Sequence, residues 1–280
     1  MELRQMRYFV AVAEELHFRR AAERLFISTP TLSQQIKAVE REIGGPLLIR
    51  RPEGVSLTPA GEVLLRAARQ VLAAADDAVR ATREAAGTAA PVLRFGLLNG
   101  VPPRLIERIT SRLDERVDSR LDMTSGTTAE LARLLEAGRL DLVMLRAPVD
   151  LPPQLRSVHV ASEELGVLMS EQHDLAGSAS VTLADLAGRE MVLFPRASAP
   201  QLHDSVLAAL DGVVLSTSAM GYAPMLAVLP LRPDVFGLSS ARAAGVAGLA
   251  WRPIEGRPLV VEYVAAWSAH NPRAAALVGG

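Results

Sequence analysis

The 280 residues carry a formal charge of −1, with 49% hydrophobic and 22% charged side chains and a mean hydropathy of +0.20. That is the balance of a globular protein long enough for two domains of roughly 150 residues each. The absence of cysteine excludes disulfides, thiolate metal sites and cysteine nucleophiles. No apolar run approaches the roughly 18 residues of a membrane span, and residues 1–5 lack the apolar core of an export signal. The expectation is a cytoplasmic protein with no membrane partner.

In chain order, Leu3, Met6, Phe9, Val10, Ala13 and Leu16 recur at helical spacing and predict a first helix over 3–15. Residues 18–37 predict two short helices with a tight turn between them. Ala21, Ala22 and Leu25 form the apolar face of the first; Leu32, Ile36, Val39 and Ile43 form that of the second. Ser28 or Thr29 can cap the second helix, and Pro30 suits its first turn. The opposite face carries Thr31, Ser33, Gln34, Gln35 and Lys37. Short hydroxyls and amides with one cation at a helix start are what a DNA major groove can use, and also what a plain solvent face contains. Residues 1–61 hold nine Arg and Lys against seven Asp and Glu, a small excess that favours a polyanionic partner.

After Gly44-Gly45, two short strand-like runs over 46–58 flank a Pro-Glu-Gly turn and predict a β-ribbon wing. Thr58-Pro59 restarts a helix that runs unbroken over about 60–86, roughly 40 Å long at 1.5 Å per residue. Leu64, Ala67, Val71, Ala74, Ala78 and Ala81 sit near heptad spacing, with Leu65, Ala68, Leu72, Ala75 and Val79 beside them. This seam suits dimerisation, or packing of the helix on its own chain. A linker follows at 87–91. From 92 the pattern alternates: strand 92–97, helix 102–116, strand 120–124, helix 127–137, strand 140–145. A second lobe has strands at 165–169 and 191–194, a short helix at 183–187, and a late strand at 259–267 that can return toward the first lobe. Residues 211–250 show no readable period.

The order AVAEELHFRRAAERLFISTPTLSQQIKAVEREIG, PLLIRR, VSLTPAG, a long helix and an α/β module with GRLDLVM closely resembles the LysR-type transcriptional regulators. The match is dense over 1–61 and looser over 91–210, at 138–142, 173–176, 183–186 and 194–196, with Trp267 and Asn271-Pro272 in the tail. The resemblance implies an N-terminal winged helix-turn-helix joined by a long linker helix to a two-lobed, periplasmic-binding-protein-like α/β effector domain. The implied boundaries are 1–58 for the DNA-binding domain (motif 18–37), 59–90 for the linker helix, and 91–280 for the effector domain. Its lobe I would take about 91–161 and 265–280, and its lobe II about 162–264. The implied partners are a partly palindromic DNA duplex, a second copy paired through 59–88 with tetramers of paired dimers, a small-molecule effector, and RNA polymerase.

Thr31, Ser33, Gln34 and Lys37 are the expected groove residues, with Arg19, Arg20, Arg50 and Arg51 directed to phosphates. Family wings often carry Arg where Glu53 and Ser56 stand here, which leaves wing contacts to Arg50 and Arg51. For the effector the resemblance points to Asn99, Gly100, Ser125, Thr127, Thr128, Phe194 and Arg196. Thr127 with Glu130 is an anion-binding helix start or a self-contained capping box. Arg196 is a carboxylate clamp or a surface Arg. An organic acid is the expected effector, and no other cofactor is expected. Two departures weaken the effector match: residues 225–238 replace a Gly-rich apolar stretch, and the chain ends eight residues after Pro272, where the family adds a closing helix. Hence one alternative is a regulator without ligand control, and another a solute-binding or metabolic module that does not bind DNA. An enzyme is not expected. Nucleotide-binding, nucleophile-elbow and zinc motifs are absent, the five histidines are dispersed, and the paired acids Glu14-Glu15, Asp76-Asp77 and Glu163-Glu164 are adjacent and diverge. No catalytic or metal-binding residue is assigned.

Overall fold

The computed structural model describes residues 1–51, 54–101, 105–107, 120–256 and 259–278. It divides into two compact units, Met1–Pro91 with Glu136–Arg139, and Val92–Leu135 with Leu140–Gly280. In the first, α1 (Leu3–Glu15), α2 (Phe18–Arg24) and α3 (Thr29–Ile43) precede an antiparallel ribbon of β1 (Leu48–Arg51) and β2 (Gly54–Leu57), then α4 (Pro59–Ala85). Each start has a local cause. His17 Nδ1 accepts the Arg19 N–H at 3.2 Å and opens α2. Ser28 caps α3, accepting the Thr31 N–H at 3.2 Å, with Pro30 in the first turn. Thr58 Oγ1 accepts the Gly61 N–H at 3.0 Å and opens α4. Gly61 is demanded by space, since a Cβ there would stand 2.1 Å from the Leu47 carbonyl oxygen.

Phe9, Val12, Ala21, Ala22, Leu32, Ile36 and Val39 form the core of this unit with Leu47 and Leu48. The apolar stripes fade at their ends: Leu3, Leu16 and Ile43, all on predicted core faces, are exposed. The alanine seam splits in two. Leu64 and Leu65 pack against this unit's core, and Ala68 is buried, so these members serve their own chain. Val63, Ala67, Val71, Ala74, Ala78 and Ala81 form a separate exposed stripe on the same helix. Among the described residues no helix is long and apolar enough to cross a membrane.

The second unit contains β3 (Val92–Leu98), β4 (Arg120–Gly126), α5 (Thr128–Glu136), β5 (Leu142–Ala147), β6 (Leu155–Ser170) and α6 (Leu183–Leu186). It continues with β7 (Glu190–Met191), α7 (Pro200–Ala209), β8 (Val214–Leu215), α8 (Tyr222–Val228), β9 (Val235–Ser240), β10 (Leu249–Arg252), β11 (Leu259–Ser268) and α9 (Pro272–Val278). The strands lie in the order β4-β3-β5-β11-β6-β9-β7-β8, with β10 beside β6. β3 is parallel to β4 and β5 at one end, and β7 is parallel to β8 and β9 at the other. Two long antiparallel strands, β6 and β11, join these ends, and their register shifts between Tyr263 and Val264.

Several sequence expectations shift. The strand expected at 140–145 begins at Leu142, because Asp141 is turned onto Arg94: its N–H donates to the Arg94 carbonyl at 2.8 Å. The strand expected over 191–194 stays in the ladder only through Met191. The Val192 N–H reaches the Phe236 carbonyl at 2.7 Å, and the chain then bends along a cavity. Of the helix expected over 102–116, only residues 105–107 are described, and these are helical. Residues 211–250 hold β8, α8, β9 and the start of β10, elements too short for a sequence period to register. A closing helix is present after all. Asn271 Oδ1 accepts the Ala274 N–H at 3.1 Å to start α9, which buries Ala274 and Leu277.

Candidate functional site

The exposed face of α3 is set by what its residues do not touch. Thr31, Gln34 and Lys37 are exposed. Among the described residues the side chains of Gln34 and Lys37 form no hydrogen bond, and they line one shallow groove with Glu40, Arg41, Gly44 and Pro46. Thr31 is partly committed, its hydroxyl 2.7 Å from that of Ser28. Ser33 accepts from Arg50 Nη1 at 3.2 Å, and the Arg50 guanidinium lies 4.4 Å from the centre of the Phe18 ring. Glu40 Oε1 accepts the N–H groups of Leu47 and Leu48 at 3.0 and 3.3 Å, fixing the ribbon to α3. Arg51 and Arg19 are exposed, Arg19 3.6 Å from Glu23 one turn on. Arg20 is tied to Glu15 through both its carbonyl and its carboxylate, and Glu14 holds Arg24 and Arg69 at 2.9 and 3.0 Å. Glu53 lies outside the described residues.

The second unit encloses a cavity of about 500 Å³. One wall is apolar, with Leu98, Val192, Leu193, Leu202, Val206, Met220, Met225, Leu238 and Val261. Its polar end collects Asn99, Gly100, Thr128, Arg146, Glu163, Tyr222, Ser239, Ser240, Arg242 and Tyr263. Arg146 Nη2 donates to the Asn99 and Gly100 carbonyls, each at 3.2 Å, and Arg242 Nη2 donates to the Gly100 carbonyl at 2.7 Å. Each guanidinium also faces an aromatic ring, Arg146 at 5.7 Å from Tyr263 and Arg242 at 5.0 Å from Tyr222. Glu163 accepts from the Tyr263 hydroxyl at 2.8 Å and the Ser240 hydroxyl at 3.3 Å. Burial, more than any neighbour, pushes the Tyr263 phenol up, so it stays a donor.

Of the effector residues expected from sequence, Asn99, Gly100, Thr127, Thr128 and Phe194 line this cavity; Ser125 and Arg196 do not. Ser125 sits exposed on edge strand β4. Arg196 binds the Asp204 carboxylate bidentately, at 2.8 and 2.7 Å, on the surface. Thr127 and Glu130 form the capping box: the Thr127 N–H and hydroxyl donate to Glu130 Oε2 at 2.9 Å each, and the Glu130 N–H returns to Thr127 Oγ1 at 3.3 Å. The Thr127 backbone N–H, then its hydroxyl, holds the Glu130 carboxyl below the usual range. The buried Thr128 hydroxyl accepts the Arg146 N–H at 3.3 Å. Sequence reasoning missed Arg146, Glu163, Tyr222, Arg242 and Tyr263. Arg146 had a signal: a charge closing an apolar strand, at the carboxyl end where α/β sheets bind ligands. Arg242 had none.

Residues 3–62 match the family model of the bacterial regulatory helix-turn-helix protein, lysR family, and residues 86–231 match the LysR substrate binding domain. The HTH-type transcriptional regulator YnfL of Escherichia coli K12 is 36% identical over 287 residues, spanning 99% of this chain and 95% of its own. BudR of Raoultella terrigena is 32% identical over 286 residues, 95% of this chain and 94% of its own. The full-length LysR-family structure of CbnR complexed with its target DNA superposes with a TM-score of 0.61 at 26% identity, covering 100% of this chain and 98% of that one. The chain therefore belongs to the LysR-type transcriptional regulators and is a DNA-binding regulator with an effector-responsive substrate-binding domain.

Proposed function

We propose that DNA is read by Thr31, Gln34 and Lys37 on α3, with Ser33 and Arg50 as a linked pair beside them and Arg19 and Arg51 reaching phosphates. The observation that carries this reading is the pair Gln34 and Lys37, exposed on one face of the capped helix α3 and without side-chain hydrogen bonds among the described residues. Amides bond base edges and a lone cation neutralises a phosphate. Arg20, held on Glu15, contributes less. The exposed stripe from Val63 to Ala81 supports pairing of two chains through residues 59–88, so that two copies of α3 meet a partly palindromic operator. Tetramers and contact with RNA polymerase are further steps of the same assembly. The units are taken as residues 1–58, 59–90 and 91–280, with about 91–161 and 265–280 against about 162–264 as the two lobes.

The cavity is the effector site. Two guanidiniums at its polar end and an apolar wall support an organic acid, held by binding alone and not turned over; the relatives are regulators, and the expected place of action is the cytoplasm. Effector contact with both lobes would favour one arrangement of them and so alter how DNA is held. The direct test is fluorescence anisotropy of the full chain on a duplex from upstream of its own reading frame, against a scrambled duplex at equal salt. Tighter binding to the upstream duplex, altered by an organic acid, is expected. Equal affinity for both duplexes would overturn sequence-specific reading.

A further inference from the structure

Arg146 and Arg242 reach the polar end of the cavity from different elements, one near the end of β5, the other in the turn after β9. They meet at one atom. The Gly100 carbonyl oxygen accepts from Arg146 Nη2 at 3.2 Å and from Arg242 Nη2 at 2.7 Å, so the two Nη2 atoms are separated by no more than those two lengths combined. Among the described residues neither guanidinium has a carboxylate within ion-pair distance. Elsewhere in this chain guanidiniums beside the surface find one, as Arg189 does on Asp174 and Arg196 on Asp204. A neutral carbonyl shared by two cations is a weak acceptor where a carboxylate, with two oxygens, would form charge-assisted bonds to both. The one acid at this end of the cavity, Glu163, is already held by Tyr263 and Ser240.

We propose that Arg146 and Arg242 form a cross-lobe clamp on a single carboxylate of the effector, which displaces the Gly100 carbonyl as their shared acceptor. This rests on the reading of the cavity as the effector site. Glu163 turns away a second carboxylate by like charge, and the apolar wall takes the body of the molecule. The ligand class is therefore an apolar monocarboxylate. Because one clamp residue comes from each lobe, the carboxylate ties the lobes together.

The test is thermal shift and titration calorimetry on the full chain with benzoate, phenylacetate and 4-methylpentanoate, their methyl esters, and glutarate as a dicarboxylate. At least one monocarboxylate is expected to raise Tm with concentration, its ester and glutarate to have no effect, and Arg146→Gln and Arg242→Gln each to weaken binding about tenfold or more. Arg242→Lys, which keeps the charge, is expected to retain part of the affinity, and Arg196→Gln all of it. Wild-type affinity in Arg242→Gln, with loss in Arg146→Gln, would overturn the clamp and leave an anion site standing. Tighter binding of glutarate than of every monocarboxylate would overturn the single-carboxylate assignment. No response of the wild-type chain to any of the acids would overturn the organic-acid reading itself.

Discussion

The Arg50 guanidinium lies 4.4 Å from the Phe18 ring centre and donates to the Ser33 hydroxyl at 3.2 Å, so the first strand of the wing is docked on the helix-turn-helix. Arg50 thus connects three elements, α2, α3 and β1, and its charge remains exposed beside the face of α3. Arg50→Ala is expected to reduce DNA affinity beyond a single lost phosphate contact and to cost about 0.5–1 kcal/mol of stability from the ring contact. Arg50→Lys keeps the charge but loses the planar fork and the stacking, and should recover little of the affinity. Anisotropy and thermal melts of the two variants check this. Full recovery by lysine would mean that Arg50 acts as a point charge alone.

The reading head was legible in sequence because its determinants are local. Ser28, Thr58 and Gly44 end or begin helices through bonds within one turn, and Leu32, Ile36 and Val39 face one way on a helix long enough to show its period. The cavity was only half legible. Asn99 and Gly100 follow the apolar run of β3, and Thr128 stands at the helix start marked by the Thr127–Glu130 capping box. Glu163 and Tyr263 face each other only because β6 and β11 pair over most of their length, 100 residues apart in sequence. Arg242 reaches Gly100 across 142 positions, from a segment of short elements with no period. Arg196 failed for another reason. Its carboxylate partner, Asp204, lies eight residues away on α7, in a surface contact that no strand or helix period announces.

Lys37 and Gln34 separate affinity from specificity. Lys37→Ala is expected to weaken binding to specific and random duplexes alike, and to reduce the slope of log affinity against log salt by about 0.9, one phosphate's worth. Gln34→Ala should instead lower affinity for the operator by about 1–3 kcal/mol with little change on random DNA. Anisotropy across a salt series on both duplexes measures each effect. An unchanged slope for Lys37→Ala would remove it from the phosphate contacts, and equal losses for Gln34→Ala would make it a positioning residue.

Asp141 is 3% exposed and meets Arg94 four ways: Oδ2 accepts the backbone N–H at 2.8 Å and Nε at 3.1 Å, Oδ1 accepts Nη2 at 2.8 Å, and its own N–H donates to the Arg94 carbonyl. Asn271 Nδ2 adds a contact at 3.4 Å to the same carboxylate, so β3, the start of β5 and the start of α9 share one anchor. Removing one partner leaves the other buried without its charge. Asp141→Ala is expected to destabilise the second unit by about 3–5 kcal/mol, seen as a large drop in Tm. A loss below about 1 kcal/mol would show that Arg94 finds water on its part-exposed side.

His173 is 4% exposed; its Nδ1 accepts the Leu175 N–H at 3.1 Å, and its buried Nε2 has no partner among the described residues. Burial lowers its pKa; Arg189 acts in the same direction, while Asp174 and Asp234 act against it. With the folded value depressed, the unfolded chain binds the proton first. Stability is unaffected above the ordinary imidazole value of about 6.5, falls as pH drops below it, and levels off below the folded value. His173→Asn keeps an acceptor for Leu175 and is expected to flatten the loss of stability between about pH 7 and pH 5 relative to the wild-type chain. Denaturant melts at several pH values check it; an identical pH slope in the variant would assign the loss to other groups.

Val63, Val71 and Val79 stand 59%, 41% and 52% exposed along α4; Val71 lies seven residues after Leu64, on the same seam, yet is not among the residues packed on this unit's core. With Ala67, Ala74 and Ala78 between them they leave an apolar strip narrow enough for close approach of a second helix. In a two-fold pair each strip faces its own copy, so one substitution is introduced twice across the same seam. Val71→Glu is therefore expected to shift the chain from dimer to monomer in sedimentation equilibrium, with little change in the helical content of the first unit, since Val71 supports no core of its own chain. Operator affinity should fall in parallel, because each half-site would then be held alone. Arg66→Glu, on the same helix, tests whether charge alone is responsible: it should leave the dimer intact. If Val71→Glu sediments as the wild-type chain does, the pairing surface lies elsewhere and the exposed strip is a solvent face.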